Sequence, residues 1–156
     1  MTDSGQGPDF GILLILASQE FIRELHADRV SQGFDEPGRT DGYVLRSLAE
    51  GPLTVTELAT RLGITKQGAG QIVDDMQRRG YVRRRPDPDD GRARMIELDE
   101  RGRAALAAAR RFHHRYERRL AARYGEEAVA TVRRLLAAMA GDPGPTVDTR
   151  FRPLFL

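Results

Sequence analysis

A chain of 156 residues with a formal net charge of +2 is long enough to bury one good core, and its charge balance alone does not name a nucleic-acid partner. It has no cysteine, which excludes disulfides, thiolate metal sites and thiol redox sensing. Of its 25 basic residues only Lys66 is lysine, and the arginine excess runs through every segment, as codon bias in a GC-rich genome would produce.

Residues 1–8 are small and polar with two glycines, and are expected to form a disordered leader. From Asp9 to about Ser31 the apolar spacing predicts a helix, with Leu13, Leu14, Ala17, Phe21 and Leu25 near one face and Ile12, Ile15, Leu16 and Ile22 widening it. A helix apolar on more than one side needs more than one partner, so a second copy of the chain is expected. The longest apolar run, Ile12 to Leu16, is far too short to span a bilayer, and no basic region precedes it. The expectation is a cytoplasmic protein without a membrane partner.

A loop over 33–38 leads to a short helix from about Thr40 to Glu50, with Tyr43, Val44 and Leu48 inward, stopped by Gly51-Pro52. Leu53 to Val55 is a short strand expected to pair with a later hairpin. Thr54 and Glu57 have the spacing of a capping box, and Leu58, Ala59 and Leu62 make one apolar face. Gly63 ends that helix. Thr65 is placed to cap the next, whose inward positions are Ala69, Ile72, Val73 and Met76 and whose opposite face carries Lys66, Gln67, Gly70, Gln71 and Asp74. Gly80 is expected to close the helix in a left-handed conformation.

Tyr81 to Arg85 and Arg94 to Leu98 read as two strands joined by a polar tip. Asp99 can cap a long helix to about Arg123 with the stripe Leu106, Ala109, His113, Tyr116 and Leu120. A last helix from Glu126 to Ala140 repeats that rhythm through Val129, Val132, Leu136 and Met139. The segment 141–156 has three prolines and no periodicity; docking on a neighbour through Phe151, Leu154 and Phe155 stands level with disorder.

Two short helices, a turn and a basic hairpin in succession make a winged helix-turn-helix. A helix entering the major groove could present Gln67 and Gln71 to adenine edges and Lys66 to phosphate or guanine. Thr65 and the free amides at the helix start suit phosphate. Gly68 and Gly70 each cost about 1 kcal/mol relative to alanine in a helix; close approach of DNA and tight helix packing explain them equally well. The hairpin adds Arg83, Arg84 and Arg85 on its first strand and Arg92 and Arg94 at or beyond the tip, with Asp90 placed to pair with Arg92. The fold class is therefore mainly α with a small β-hairpin wing. A DNA-binding domain over 40–98 joins a helical dimerisation region over 9–32 and 99–140, to which Leu13, Leu14, Ala17, Val132, Leu136 and Met139 are assigned.

Enzymatic and metal readings fare poorly. Asp74 and Asp75 are adjacent on a helix and point apart, unsuited to acid–base chemistry. The Asp87-Pro88-Asp89-Asp90-Gly91 tip has glycine at the fifth position of a calcium loop and Leu98 at the twelfth, where glutamate is needed. His113 and Glu117, with His26 or Glu24, are a weak metal signal, and His113 reads better as a hydrogen-bonded histidine. No cofactor and no metal are expected. Tyr116 and His113, with Tyr43 and Phe21, are the candidate lining for an aromatic or phenolic effector.

The run from Leu53 to Gly102 resembles the core of the MarR family of transcriptional regulators. Asp90-Gly91-Arg92, the strand Met95-Ile96-Glu97-Leu98, and Gly102 in the next helix match its wing pattern. The two glycines of the second helix and Asp99, where threonine is commoner, depart from it. The resemblance implies a homodimer on a pseudo-palindromic operator, usually a repressor, released by a small ligand. The competing reading is a winged-helix interaction or architectural module without operator specificity.

Overall fold

The computed structural model describes residues 7–35, 37–38 and 40–141. It divides into two compact units, Met1–Glu36 and Pro37–Leu156. The expected leader, apart from its last two residues, and nearly all of the C-terminal tail lie outside the described residues.

The described part of the first unit is chiefly one helix, α1 (Phe10–Ser31). Its apolar side chains stay open: Ile12, Leu13, Ile15 and Leu16 are each 48–50% exposed. No helix among the described residues is long and apolar enough to cross a membrane.

In the second unit, α2 (Asp41–Ser47) tightens into a 3₁₀ turn (Leu48–Glu50) before β1 (Leu53–Thr54). Then come α3 (Val55–Leu62), α4 (Lys66–Arg78), β2 (Val82–Pro86), β3 (Arg94–Leu98), α5 (Glu100–Tyr124) and α6 (Glu126–Met139). The expected elements are all present, with ends shifted by a residue or two. The fold class is mainly α with a small antiparallel sheet, ordered β1-β3-β2, whose hairpin is the wing.

Local chemistry accounts for the helix-turn-helix. Thr54 and Glu57 form the reciprocal capping box: the Thr54 hydroxyl accepts from the Glu57 amide at 3.2 Å, and the Glu57 carboxylate accepts from the Thr54 amide at 2.7 Å. Gly63 closes α3 at φ +66°, in the left-handed region where a side chain is unfavourable. The Thr65 hydroxyl then accepts from the Gly68 amide at 3.0 Å and starts α4. Leu58, Leu62, Ala69, Val73 and Met76 are almost wholly buried between the two helices and the sheet. A fully buried leucine contributes about 1.5–3 kcal/mol, so these side chains fix the angle between α3 and α4.

α5 packs through a different stripe from the expected one. Its buried positions are Gly102, Ala105, Ala108 and Phe112, whereas Leu106, Ala109, His113, Tyr116 and Leu120 are half-buried. Close approach is the reason. A Cβ on Gly102 would stand 2.0 Å from the Tyr81 carbonyl oxygen, which also accepts from the Asp99 amide at 3.0 Å. Small residues let the start of α5 lie against the chain leaving α4, and large apolar side chains one position along cannot. α6 buries none of its residues, and Val132, Leu135, Leu136 and Met139 remain exposed.

Candidate nucleic-acid interface

α4 has one inward and one outward face. Ala69, Val73 and Met76 point into the core, with Ile72 half-buried beside them, and Lys66, Gln67, Gln71 and Asp74 are exposed. Gln67, Gly70 and Gln71 share a surface because positions three and four apart are neighbours on a helix. The two glycines differ. A Cβ on Gly68 would sit 3.2 Å from the capping Thr65 hydroxyl, whereas one on Gly70 meets nothing within 4 Å. Packing therefore offers no reason for glycine at position 70.

The wing arginines separate by strand alternation, since successive side chains on a strand point to opposite faces. Arg83 lies directly across from Glu97 in the β2–β3 register. The Glu97 carboxylate accepts from Arg83 Nε at 2.7 Å and from Arg85 Nε at 2.9 Å. These guanidiniums, Arg83 first, hold the Glu97 carboxyl below its usual range against the opposing effect of burial. Arg84 turns to the other face and reaches α4, with Nη1 2.7 Å from Asp74 Oδ1 and 2.8 Å from Gln77 Oε1. Arg92 and Arg94 are exposed and have no acidic partner among the described residues.

Asp90 shapes the tip, through a different contact from the one expected. Its Oδ1 accepts from the Arg92 amide at 3.0 Å rather than from the guanidinium. A short carboxylate reaches the amide two residues on more readily than a long side chain can fold back. Asp87 does the same for the Asp89 amide at 2.9 Å, and the Ala93 amide donates to the Asp90 carbonyl at 2.9 Å. The tip thus turns on its aspartates and leaves Arg92 projecting.

The candidate effector lining is less assembled. On α5, the Phe112 ring lies 5.8 Å from that of Tyr116, tilted by 36°, and meets His113 edge-on at 6.3 Å. Burial, then the nearby charges of Arg46 and His114, push the His113 imidazole below its ordinary pKa. Tyr43 is half-buried on α2, and Phe21 belongs to α1 in the other unit. A groove of about 400 Å³ beside Leu48, Pro52 and Leu106 and another of about 900 Å³ between α5 and α6 are lined by none of these four. Glu117, one turn from His113, is held by Arg133 at 2.7 Å. Among the described residues no three His, Asp or Glu side chains group as metal ligands would.

Sequence reasoning passed over Glu97, Gln77, Asp41 and Arg79. Glu97 had a signal, since a hairpin register puts it opposite Arg83. Asp41 and Arg79 had none, being 38 residues apart.

Helix-turn-helix, three-stranded sheet and projecting basic tip define the class: a winged helix-turn-helix protein. The MarR family model matches residues 38–93, the span from before α2 to the wing tip. A probable transcriptional regulator from Pseudomonas aeruginosa is 30% identical, with 84% of this chain and 96% of that chain covered and a TM-score of 0.59. The transcriptional repressor CouR, solved bound to a 23-mer DNA duplex, is 28% identical, with 85% and 92% covered and a TM-score of 0.64. An uncharacterised protein of Mycobacterium tuberculosis is 34% identical over 65 residues, 42% of this chain and 46% of its own length. The match thus spans about half the length of that curated relative. The chain belongs to the MarR family of transcriptional regulators.

Proposed function

We propose that the chain is a sequence-specific repressor that binds double-stranded DNA as a homodimer on a pseudo-palindromic operator and is released by a small aromatic or phenolic effector. The observation that carries this is the outward row of α4, where Lys66, Gln67 and Gln71 surround an unobstructed Gly70, beside a wing whose Arg92 and Arg94 have no acidic partner among the described residues. Paired glutamines suit adenine edges in the major groove, and unpaired arginines at a wing tip suit phosphate or the minor groove. CouR supports the reading as a relative solved on a DNA duplex. Thr65 and the amides of the first turn would add phosphate contacts, with Gly68 leaving the cap its room.

The dimer rests on the apolar side chains left open on α1 and α6, among them Leu13, Leu136, Val132 and Met139. Leu14 and Ala17 on α1 belong to the same proposed interface. Tyr43, His113 and Tyr116 are proposed to receive the effector.

Selection of bound duplexes from a random pool, with the mass of the complex measured in solution, tests the reading. The expected product is an inverted repeat whose half-sites lie about 34 Å apart, bound by two chains. Arg92→Ala should weaken binding to all sequences, while Gln71→Ala should change which operators are preferred. A pool that returns no preferred sequence overturns operator recognition and leaves the architectural module.

A further inference from the structure

We infer that Asp41 is a positioning residue for DNA reading: through Arg79 it fixes the far end of the recognition helix, and with it the angle at which α4 presents Gln67 and Gln71. This rests on the proposed role of α4.

The Asp41 carboxylate is almost wholly buried at the first residue of α2. Its Oδ2 accepts from the Gly38 amide at 2.9 Å and from Arg79 Nη1 at 2.8 Å, and its Oδ1 accepts from Arg79 Nη2 at 3.1 Å. A Cβ on Gly38 would approach Asp41 Oδ1 to 2.9 Å, so the loop closes over the carboxylate at a position that favours glycine. Arg79 is the C-cap of α4. Its Nε donates to Asp75 Oδ2 at 2.8 Å, and its guanidinium lies 5.2 Å from the centre of the buried Tyr81 ring. One planar fork is thus held on three sides, by α2, by α4 itself and by the chain leaving α4.

Within α4 this anchor acts beyond the last residue buried in the hydrophobic core, in the gap before the core resumes at Tyr81. Ala69, Val73 and Met76 hold the first three turns of α4, and Met76 is the last of them. Beyond it the helix end meets α2 through the charged pair. At 1.5 Å per residue, Gln67 stands about 18 Å from Arg79 along the axis, so rocking about the middle of α4 that frees the Arg79 end displaces the reading end by a similar amount. Bidentate contacts to a base edge tolerate little displacement, whereas phosphate contacts made by long side chains follow it. Loss of the anchor should therefore reduce discrimination between sequences more than general affinity.

The test uses the operator selected by the wild type and a scrambled duplex, with both affinities measured well below the melting temperature of each variant. Asp41→Asn keeps the shape and an acceptor for Gly38 but loses the charge. It is expected to bind the operator about 10-fold more weakly and the scrambled duplex within about 2-fold of the wild type. Arg79→Lys keeps the charge but cannot make the planar bidentate fork, so a smaller loss in the same direction is expected, and it carries the comparison should Asp41→Asn fail to fold. A purely structural role would lower the melting temperature and leave the ratio of the two affinities unchanged. That result, or operator binding unchanged in a folded variant, overturns the inference while operator recognition stands. A wild type that selects no sequence overturns both.

Discussion

Gly70→Ala separates the demands of folding from those of DNA reading. Gly70 is the fifth residue of α4, and a Cβ there would meet no atom within 4 Å. The substitution thus introduces no clash. Alanine is favoured over glycine in a helix interior by about 1 kcal/mol, which in a chain of this size raises the melting temperature by about 2–4 °C. On DNA the effect reverses. Gly70 shares the outward surface with Gln67 and Gln71, and the added methyl would hold the helix off the groove and lengthen two base contacts together. A loss of about 1–3 kcal/mol, roughly 5- to 150-fold in operator affinity, is expected, as for one mismatched base pair. Thermal unfolding and operator titration on the same preparation give both numbers. A stabilised variant that binds the operator as tightly as the wild type refutes the close-approach argument. An unchanged melting temperature refutes the statement that this glycine costs the helix anything.

Gly102→Ala has the opposite sign, since the new Cβ would lie 2.0 Å from the Tyr81 carbonyl oxygen, a backbone atom that cannot rotate away. Overpacking of this kind costs about 1–3 kcal/mol, and a melting temperature within a degree of the wild type would show that α5 can slide off Tyr81 freely. Stability should also fall in mild acid through His113, whose folded pKa lies below its ordinary value of 6.5. Above pH 6.5 the ring is neutral in both states. As pH drops toward the folded pKa, the unfolded chain binds the proton first, and stability is lost. Denaturant titrations between pH 7.5 and 5.5 should show a slope that His113→Gln flattens, and an unflattened slope assigns the loss to other groups.

The helix-turn-helix was legible because its determinants are local. Thr54 with Glu57, Gly63 and Thr65 act within a few residues of themselves, and the spacing of Ala69, Val73 and Met76 faces a single partner. The α5 stripe differs from the expected one for a physical reason: periodicity of large side chains signals burial in a loosely spaced interface, and α5 packs through Gly102, Ala105 and Ala108, with Gly102 against the Tyr81 carbonyl. Small residues at helical spacing carry no hydrophobic signal of their own. The anchor of Asp41 on Arg79 was illegible because nothing near either residue distinguishes it from the many other acid and base residues of the chain.

The same ambiguity covered the wing arginines, which the structure separates by partner. Arg83, Arg84 and Arg85 each have an acidic partner, whereas Arg92 and Arg94 have none among the described residues. Salt dependence distinguishes the two groups, because each phosphate neutralised on duplex DNA contributes about 0.9 to the slope of log affinity against log salt. If Arg92 and Arg94 each meet one phosphate and two chains bind the operator, replacing both by alanine removes four contacts and lowers the slope by about 3.6. Arg83→Ala combined with Arg85→Ala should leave the slope near that of the wild type, since Glu97 holds both guanidiniums in place. Equal loss of slope in the two double variants would mean that DNA draws Arg83 and Arg85 away from Glu97, making them readers as well.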